Sequence, residues 1–169
     1  MITSKIVTQT WQRMSQTSVE RAPKLVEQMK DEQPVVLSFL LHLDDLPFNQ
    51  YEQELLFYIG LVVWQIMKQS EQQLYKVTGK KLRKAEELNV EILERLASSG
   101  ESEFMESAQL LIRTHAEPEV LRYIVEAIME EAEEEPGFQE ANKGLAFIHL
   151  KILLDAFVNS LRPRPRLVA

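Results

Sequence analysis

The chain has 169 residues, a formal net charge of −7 and no cysteine. That length corresponds to one typical domain, able to bury roughly 70% of its unfolded surface without a covalent staple. The absence of cysteine excludes a disulfide framework, thiolate metal sites and cysteine nucleophiles, and the negative charge argues against general nucleic-acid binding, whose affinity comes mainly from neutralising phosphates with Lys and Arg.

Five glycines are few, and no phosphate-cradling GxGxxG or GxxxxGK loop is present. The opening MITSKIVTQTWQRM lacks the continuous apolar core of a signal peptide, and no other stretch is long and apolar enough to span a bilayer. A cytoplasmic location is the expectation, with no membrane partner.

In chain order, residues 3–17 place Ile6, Val7, Trp11 and Met14 on one helical face, with Thr3 or Ser4 as the cap. Pro23 opens a second helix to about Asp31, with Leu25, Val26 and Met29 inward. Pro34 starts a short apolar helix, Val35 to Leu43, and Leu43-Asp44-Asp45-Leu46-Pro47-Phe48 reads as a turn.

The most apolar stretch of the chain follows, YEQELLFYIGLVVWQIM, from Tyr51 to Met67. Asn49 and Glu52 have the form of a capping box, so this helix starts near Gln50, and it is expected to run to about Val77. Its only polar stripe is Glu54, Gln65, Lys68, Gln69 and Gln72, which places it in the middle of a core. Tyr58 and Leu61 share that stripe, so they either lie under a neighbouring helix or form an exposed step for a partner. Gly60 costs about 1 kcal/mol relative to Ala inside a helix, which predicts the close approach of a neighbouring backbone.

Thr78-Gly79 reads as the end of that helix, with the glycine as C-cap. Leu82, Ala85, Asn89, Ile92 and Leu96 then form the 3-4-3-4 seam of a second long helix, ending at Ser98-Ser99-Gly100 and expected to fold back antiparallel on the first. A shorter helix from Glu103 to His115 carries Phe104, Ala108, Leu111 and Ile112. Pro118 starts another, with Leu121, Ile124, Val125, Ile128 and Ala132 inward, which Pro136-Gly137 ends. The last runs from about Gln139 to Leu161, with Leu145, Ile148, Ile152, Leu153, Ala156 and Phe157 forming an apolar face broad enough to place it near the centre.

No segment alternates with period two over a useful length, so no sheet is expected, and no repeat of helix pairs shares a signature. The fold class is all-α: a single-domain bundle of about seven helices, joined as antiparallel hairpins around a central buried helix near 50–77. The domain covers 1–161, and the Arg/Pro segment 162–169 is expected to be a mobile tail, because Pro163 and Pro165 cannot continue a helix.

Chemistry-bearing motifs are sparse. The strongest is EAIMEEAEEE, residues 126–135, whose Glu126, Glu130, Glu133 and Glu134 share a helix face at a spacing able to hold a divalent cation such as Mg²⁺. Like charges at that spacing, near a helix C-terminus, also destabilise the helix. The tail's Arg162, Arg164 and Arg166 could pair with this run, in the same chain or in a second copy.

None of the three histidines follows a Glu by three residues, which argues against the carboxylate-bridged di-iron pattern. His42 reads as a helix-end contact, His115 as a partner of helix-end carbonyls, and His149 as a core histidine hydrogen-bonded to a neighbour. No serine stands in a nucleophile elbow. The basic run from Lys76 through Lys80, Lys81, Arg83 and Lys84 has only Tyr75 as an aromatic companion, which is too little for a nucleic-acid surface.

The function expected on these grounds is a protein–protein interaction or self-association module without a cofactor. Arg162, Arg164, Arg166, Tyr58 and Leu61 are its candidate contacts. The alternative is a metal-dependent hydrolase of phosphate compounds built on Glu126, Glu130, Glu133 and Glu134, for which no second carboxylate pair stands on another helix.

Overall fold

The computed structural model describes residues 1–16, 21–96, 99–130 and 137–166. Among them are eight α-helices: α1 (Ser4–Ser15), α2 (Ala22–Glu32), α3 (Pro34–Leu41), α4 (Gln50–Met67), α5 (Gly79–Leu96), α6 (Glu101–Thr114), α7 (Pro118–Met129) and α8 (Glu140–Val158). A 3₁₀ turn, Leu43–Asp45, precedes α4, and two short strands, β1 (Gln73–Leu74) and β2 (Leu161–Arg162), pair antiparallel. No described helix is long and apolar enough to cross a membrane.

Local chemistry sets most helix starts. The Thr3 hydroxyl accepts from the Ile6 N–H at the head of α1. Proline occupies the first turn of α2, α3 and α7, where its missing N–H removes one of the donors that would lack a partner. The capping box of α4 is complete: the Glu52 N–H donates to Asn49 Oδ1 and the Asn49 N–H to Glu52 Oε1, each at 2.8 Å.

Two helices form the centre. α4 is buried almost without interruption from Leu56 to Met67, and α8 from Gly144 to Phe157. α1, α3 and α7 pack around α4, while α5, α6 and α7 pack around α8, so the buried side chains form one continuous core. Phe104 of α6 meets Phe147 of α8 edge-on, with ring centroids 5.5 Å apart.

Several expectations are corrected by tertiary partners. α4 stops at Met67 rather than Val77, because the backbone beyond it finds other bonds. Gln73 and Leu74 join β2, the Tyr75 N–H donates to the Ser160 carbonyl, and the Gln33 amide bridges the Tyr75 carbonyl and the Val77 N–H. Gly79 therefore opens α5 instead of capping α4. The expected hairpin of α4 and α5 does not form: the seam of α5 lies along α8.

The two-residue ladder is too short to leave a period-two signal, which is why no sheet was expected. α1 is rotated from its expected face, with Val7, Thr10 and Met14 buried and Trp11 40% exposed. α7 ends at Met129, before the inward position expected of Ala132, which lies outside the described residues together with Ser98 and Pro136. The crowding of like charges toward its C-terminus is a physical reason for that early stop.

Close approach does occur at Gly60, but to a side chain rather than a backbone. A Cβ there would lie 2.7 Å from the Leu40 methyls of α3. The close backbone contact is at Gly144, where a Cβ would press into the Leu96 carbonyl group, 3.0 Å from its carbon. This glycine lets α8 and the end of α5 meet.

Candidate functional site

The residues singled out in the sequence do not gather. Leu61 is 6% exposed and belongs to the core, so it offers no contact surface, and Tyr58 is half-buried with its phenol pKa raised by burial. Arg162 lies in β2 and donates to the Asn159 and Leu161 carbonyls. Arg164 donates to the Glu71 and Ser70 carbonyls, so the head of the expected mobile tail is tethered beside β1. Arg166 is exposed, and the last three residues of the tail lie outside the described residues.

Glu126 is on α7, but Glu130 is its C-cap with extended backbone, so the shared helix face is interrupted there. Glu133 and Glu134 lie outside the described residues. Among the described residues, no three or more His, Asp or Glu side chains converge as a metal site would require.

The densest set of titratable groups joins α5, α8 and the α6–α7 connection. Asp155 accepts from Lys151 Nζ at 2.8 Å and from Asn89 Nδ2 at 3.0 Å, and it meets His115 Nε2 at 2.6 Å. Lys151 Nζ also donates to Asn89 Oδ1 at 2.7 Å, and Asn89 Nδ2 donates to the Ala85 carbonyl. Burial raises the Asp155 pKa, but the bonds from His115, Lys151 and Asn89, with the Lys151 charge, outweigh it and hold the carboxyl below its ordinary value.

The Glu117 N–H donates to His115 Nδ1 at 2.9 Å, so that nitrogen accepts, and Nε2 carries the proton toward Asp155. Both ring nitrogens are therefore occupied from within the fold. A catalytic histidine needs one nitrogen free for substrate or nucleophile. The Glu117 carboxylate in turn accepts from the buried Ile2 N–H at 2.8 Å, which ties the amino-terminal segment to the same network.

The sequence reading placed Asn89 correctly on an inward seam but assigned His115 to helix-end carbonyls. The signal it missed was Lys151 and Asp155, spaced i,i+4 on a helix apolar nearly all round.

Glu52 forms a second closed node. Fully buried, its carboxylate accepts from the Asn49 N–H, the Gln139 N–H at 2.8 Å and the Asn142 amide at 2.9 Å, joining the starts of α4 and α8. His42, as expected, makes a helix-end contact, with its Nδ1 at 2.6 Å from the Ser38 carbonyl.

His149 departs from expectation. Its ring stacks on Phe39 at 4.1 Å, and its buried Nε2 has no hydrogen-bond partner, so burial lowers its pKa to about 4. It borders an open, mostly apolar cleft with Val35, Phe39, Leu46 and Leu82.

One concave feature does not close on itself. A cleft of about 430 Å³ between α1, α2 and α4 is lined by Arg13, Met14, Arg21, Lys24, Leu25, Gln28 and Gln65. No carboxylate is among these residues, and Arg21 and Lys24 form no ion pair among the described residues. Gln65 borders the cleft, and its Nε2 is buried without an acceptor. The sequence showed Gln65 on the polar stripe of α4, but only the packing of α1 and α2 beside it brings the three cations to one place.

Comparison with protein-family models, with curated proteins and with solved structures gives no match.

Proposed function

We propose that this chain is a non-catalytic binding module that receives an acidic segment of a partner protein in the cleft between α1, α2 and α4. The observation that carries the reading is a contrast. The groups with catalytic potential, His115, Asp155 and Lys151, are consumed by one another, whereas Arg21 and Lys24, beside Arg13, form no ion pair among the described residues in a chain of net charge −7. A cluster of like charge on an oppositely charged protein repels itself, and an acidic ligand relieves that repulsion while being steered toward it.

The test is an NMR titration of the ¹⁵N-labelled protein with a short oligoglutamate peptide, at low and at physiological ionic strength. Shift changes are expected at Arg13, Arg21, Lys24 and Gln65, weaker at the higher salt because exposed charges are screened over about 8 Å there. The double variant Arg21→Glu, Lys24→Glu should lose them. A parent that shows no change at low salt, or a variant that responds like the parent, removes the proposal.

A further inference from the structure

We infer that the α1–α2–α4 cleft is a phosphomonoester site; the inference rests on the cleft being the binding surface and names the group it reads. Among the described residues its polar lining supplies donors: the guanidinium group of Arg21, the ammonium of Lys24, and the amides of Gln28 and Gln65, with the Arg13 guanidinium adding positive charge beside them. A buried N–H without an acceptor is unfavourable and uncommon in folded proteins. Gln65 Nε2 is such a group on a residue that borders this cleft; the atom is closed to solvent, and a turn of the amide toward an acceptor in the cleft would complete the fold's own hydrogen bonding.

The number and kind of donors favour phosphate over carboxylate. A phosphomonoester brings a charge of about −1.5 to −2 and three acceptor oxygens, against one charge and two oxygens for a carboxylate. Planar guanidinium groups bind such oxygens in pairs, and Lys24 adds a point charge. The cleft is also larger than a bare phosphate needs, and Met14 and Leu25 give it apolar walls for an organic group attached to the ester. Among the described residues no aromatic ring lines it, so none of them offers a face on which a nucleobase would stack. The same dianion can arrive on a small organic ester or on a phosphorylated side chain of the partner.

The experiment titrates the parent with phenyl phosphate and with benzoate, then with an oligoglutamate peptide carrying one phosphoserine and with its serine counterpart, following the Gln65 side-chain amide by NMR. Phenyl phosphate is expected to bind about tenfold or more tightly than benzoate, the factor of a single additional charge-assisted hydrogen bond, and to shift the Gln65 amide. Arg21→Gln and Lys24→Gln should each weaken it, and Gln65→Leu should weaken it without changing the circular dichroism.

A phosphoserine peptide that binds tenfold more tightly than its counterpart places the phosphate on a partner protein. Tight phenyl phosphate binding without that peptide preference places it on a free ester. Equal binding of phenyl phosphate and benzoate, or affinity unchanged in all three variants, overturns the inference. If oligoglutamate binds while phosphate adds nothing, the phosphate site falls and the acidic-partner reading stands. If none of the four ligands binds, both fall.

Discussion

His115 and Asp155 meet at 2.6 Å through Nε2, the nitrogen that a hydrolytic dyad would more usefully leave free, while Nδ1 is held by the Glu117 N–H. The pair acts as a strut between the α6–α7 connection and α8, with Lys151 as the carboxylate's cationic neighbour. Asp155→Asn would leave the Lys151 charge buried without its counter-ion, at a cost of about 3 kcal/mol. Because the folded carboxyl is held below its ordinary 3.8, its contribution is present above that pH and lost as pH falls through the folded value. Urea unfolding of the parent and of Asp155→Asn, at neutral pH and near pH 3, should give a gap that narrows in acid. A gap independent of pH would contradict this assignment.

His149 makes a different prediction in a higher window. Its folded pKa is lowered from 6.5 to about 4, so the unfolded chain takes up the proton first as pH falls. Stability is full above 6.5 and declines toward 4, by about 2 kcal/mol at pH 5. His149→Phe keeps a ring against Phe39 and removes both the titration and the unpartnered nitrogen. It should flatten the stability profile between those two values, and a profile as steep as the parent's would refute the burial argument. The same variant separates this window from that of Asp155.

The two close-packed helix glycines should respond unequally to alanine. At Gly60 the atoms nearest the added methyl are those of the Leu40 side chain, its two methyls first, and the helix gains about 1 kcal/mol of propensity, so the variant should stay within about 1 kcal/mol of the parent. At Gly144 the methyl meets the Leu96 backbone, which cannot rotate away, and a loss of about 3 kcal/mol or more is expected. Thermal unfolding of both variants tests the order, and a smaller loss at Gly144 would show that α5 and α8 separate easily.

Glu52→Gln changes one oxygen for a donor in a place already filled with donors. The Asn49 N–H, the Gln139 N–H and the Asn142 amide all point at this carboxylate, so at least one loses its acceptor, at about 1–3 kcal/mol. Amide hydrogen exchange should quicken at the starts of both α4 and α8. Acceleration confined to α4 would mean that the bond to Gln139 contributes little.

Gln65 is expected to trade stability for binding. Gln65→Met removes a buried donor without an acceptor while keeping the side-chain length, so the ligand-free protein should gain about 1 kcal/mol, read as a higher Tm. The same variant should bind phenyl phosphate more weakly. A lower Tm in the variant would mean that the amide is already satisfied.

Much of the fold was legible because it follows from local periodicity and caps. The apolar run from Leu55 to Met67 could only be a central helix, Asn49 and Glu52 spelled out its start, and prolines marked the starts of α2, α3 and α7. What the sequence by itself determined, then, is the all-helical class and the identity of most core faces, since those depend on residues three and four apart.

Tertiary structure alone decided where backbone groups find partners across long separations. It ended α4 at Met67 by offering residues 73–77 the Gln33 side chain and β2, and it laid α5 on α8 through Gly144. It also closed His115, Asp155, Lys151 and Asn89 into one network and drew Arg13, Arg21 and Lys24 around Gln65. Apart from Lys151 with Asp155 on α8 and Arg21 with Lys24 at the start of α2, these groups lie tens of positions apart in the chain or on separate helices. Their meeting is fixed by how helices pack, a property that no local spacing encodes.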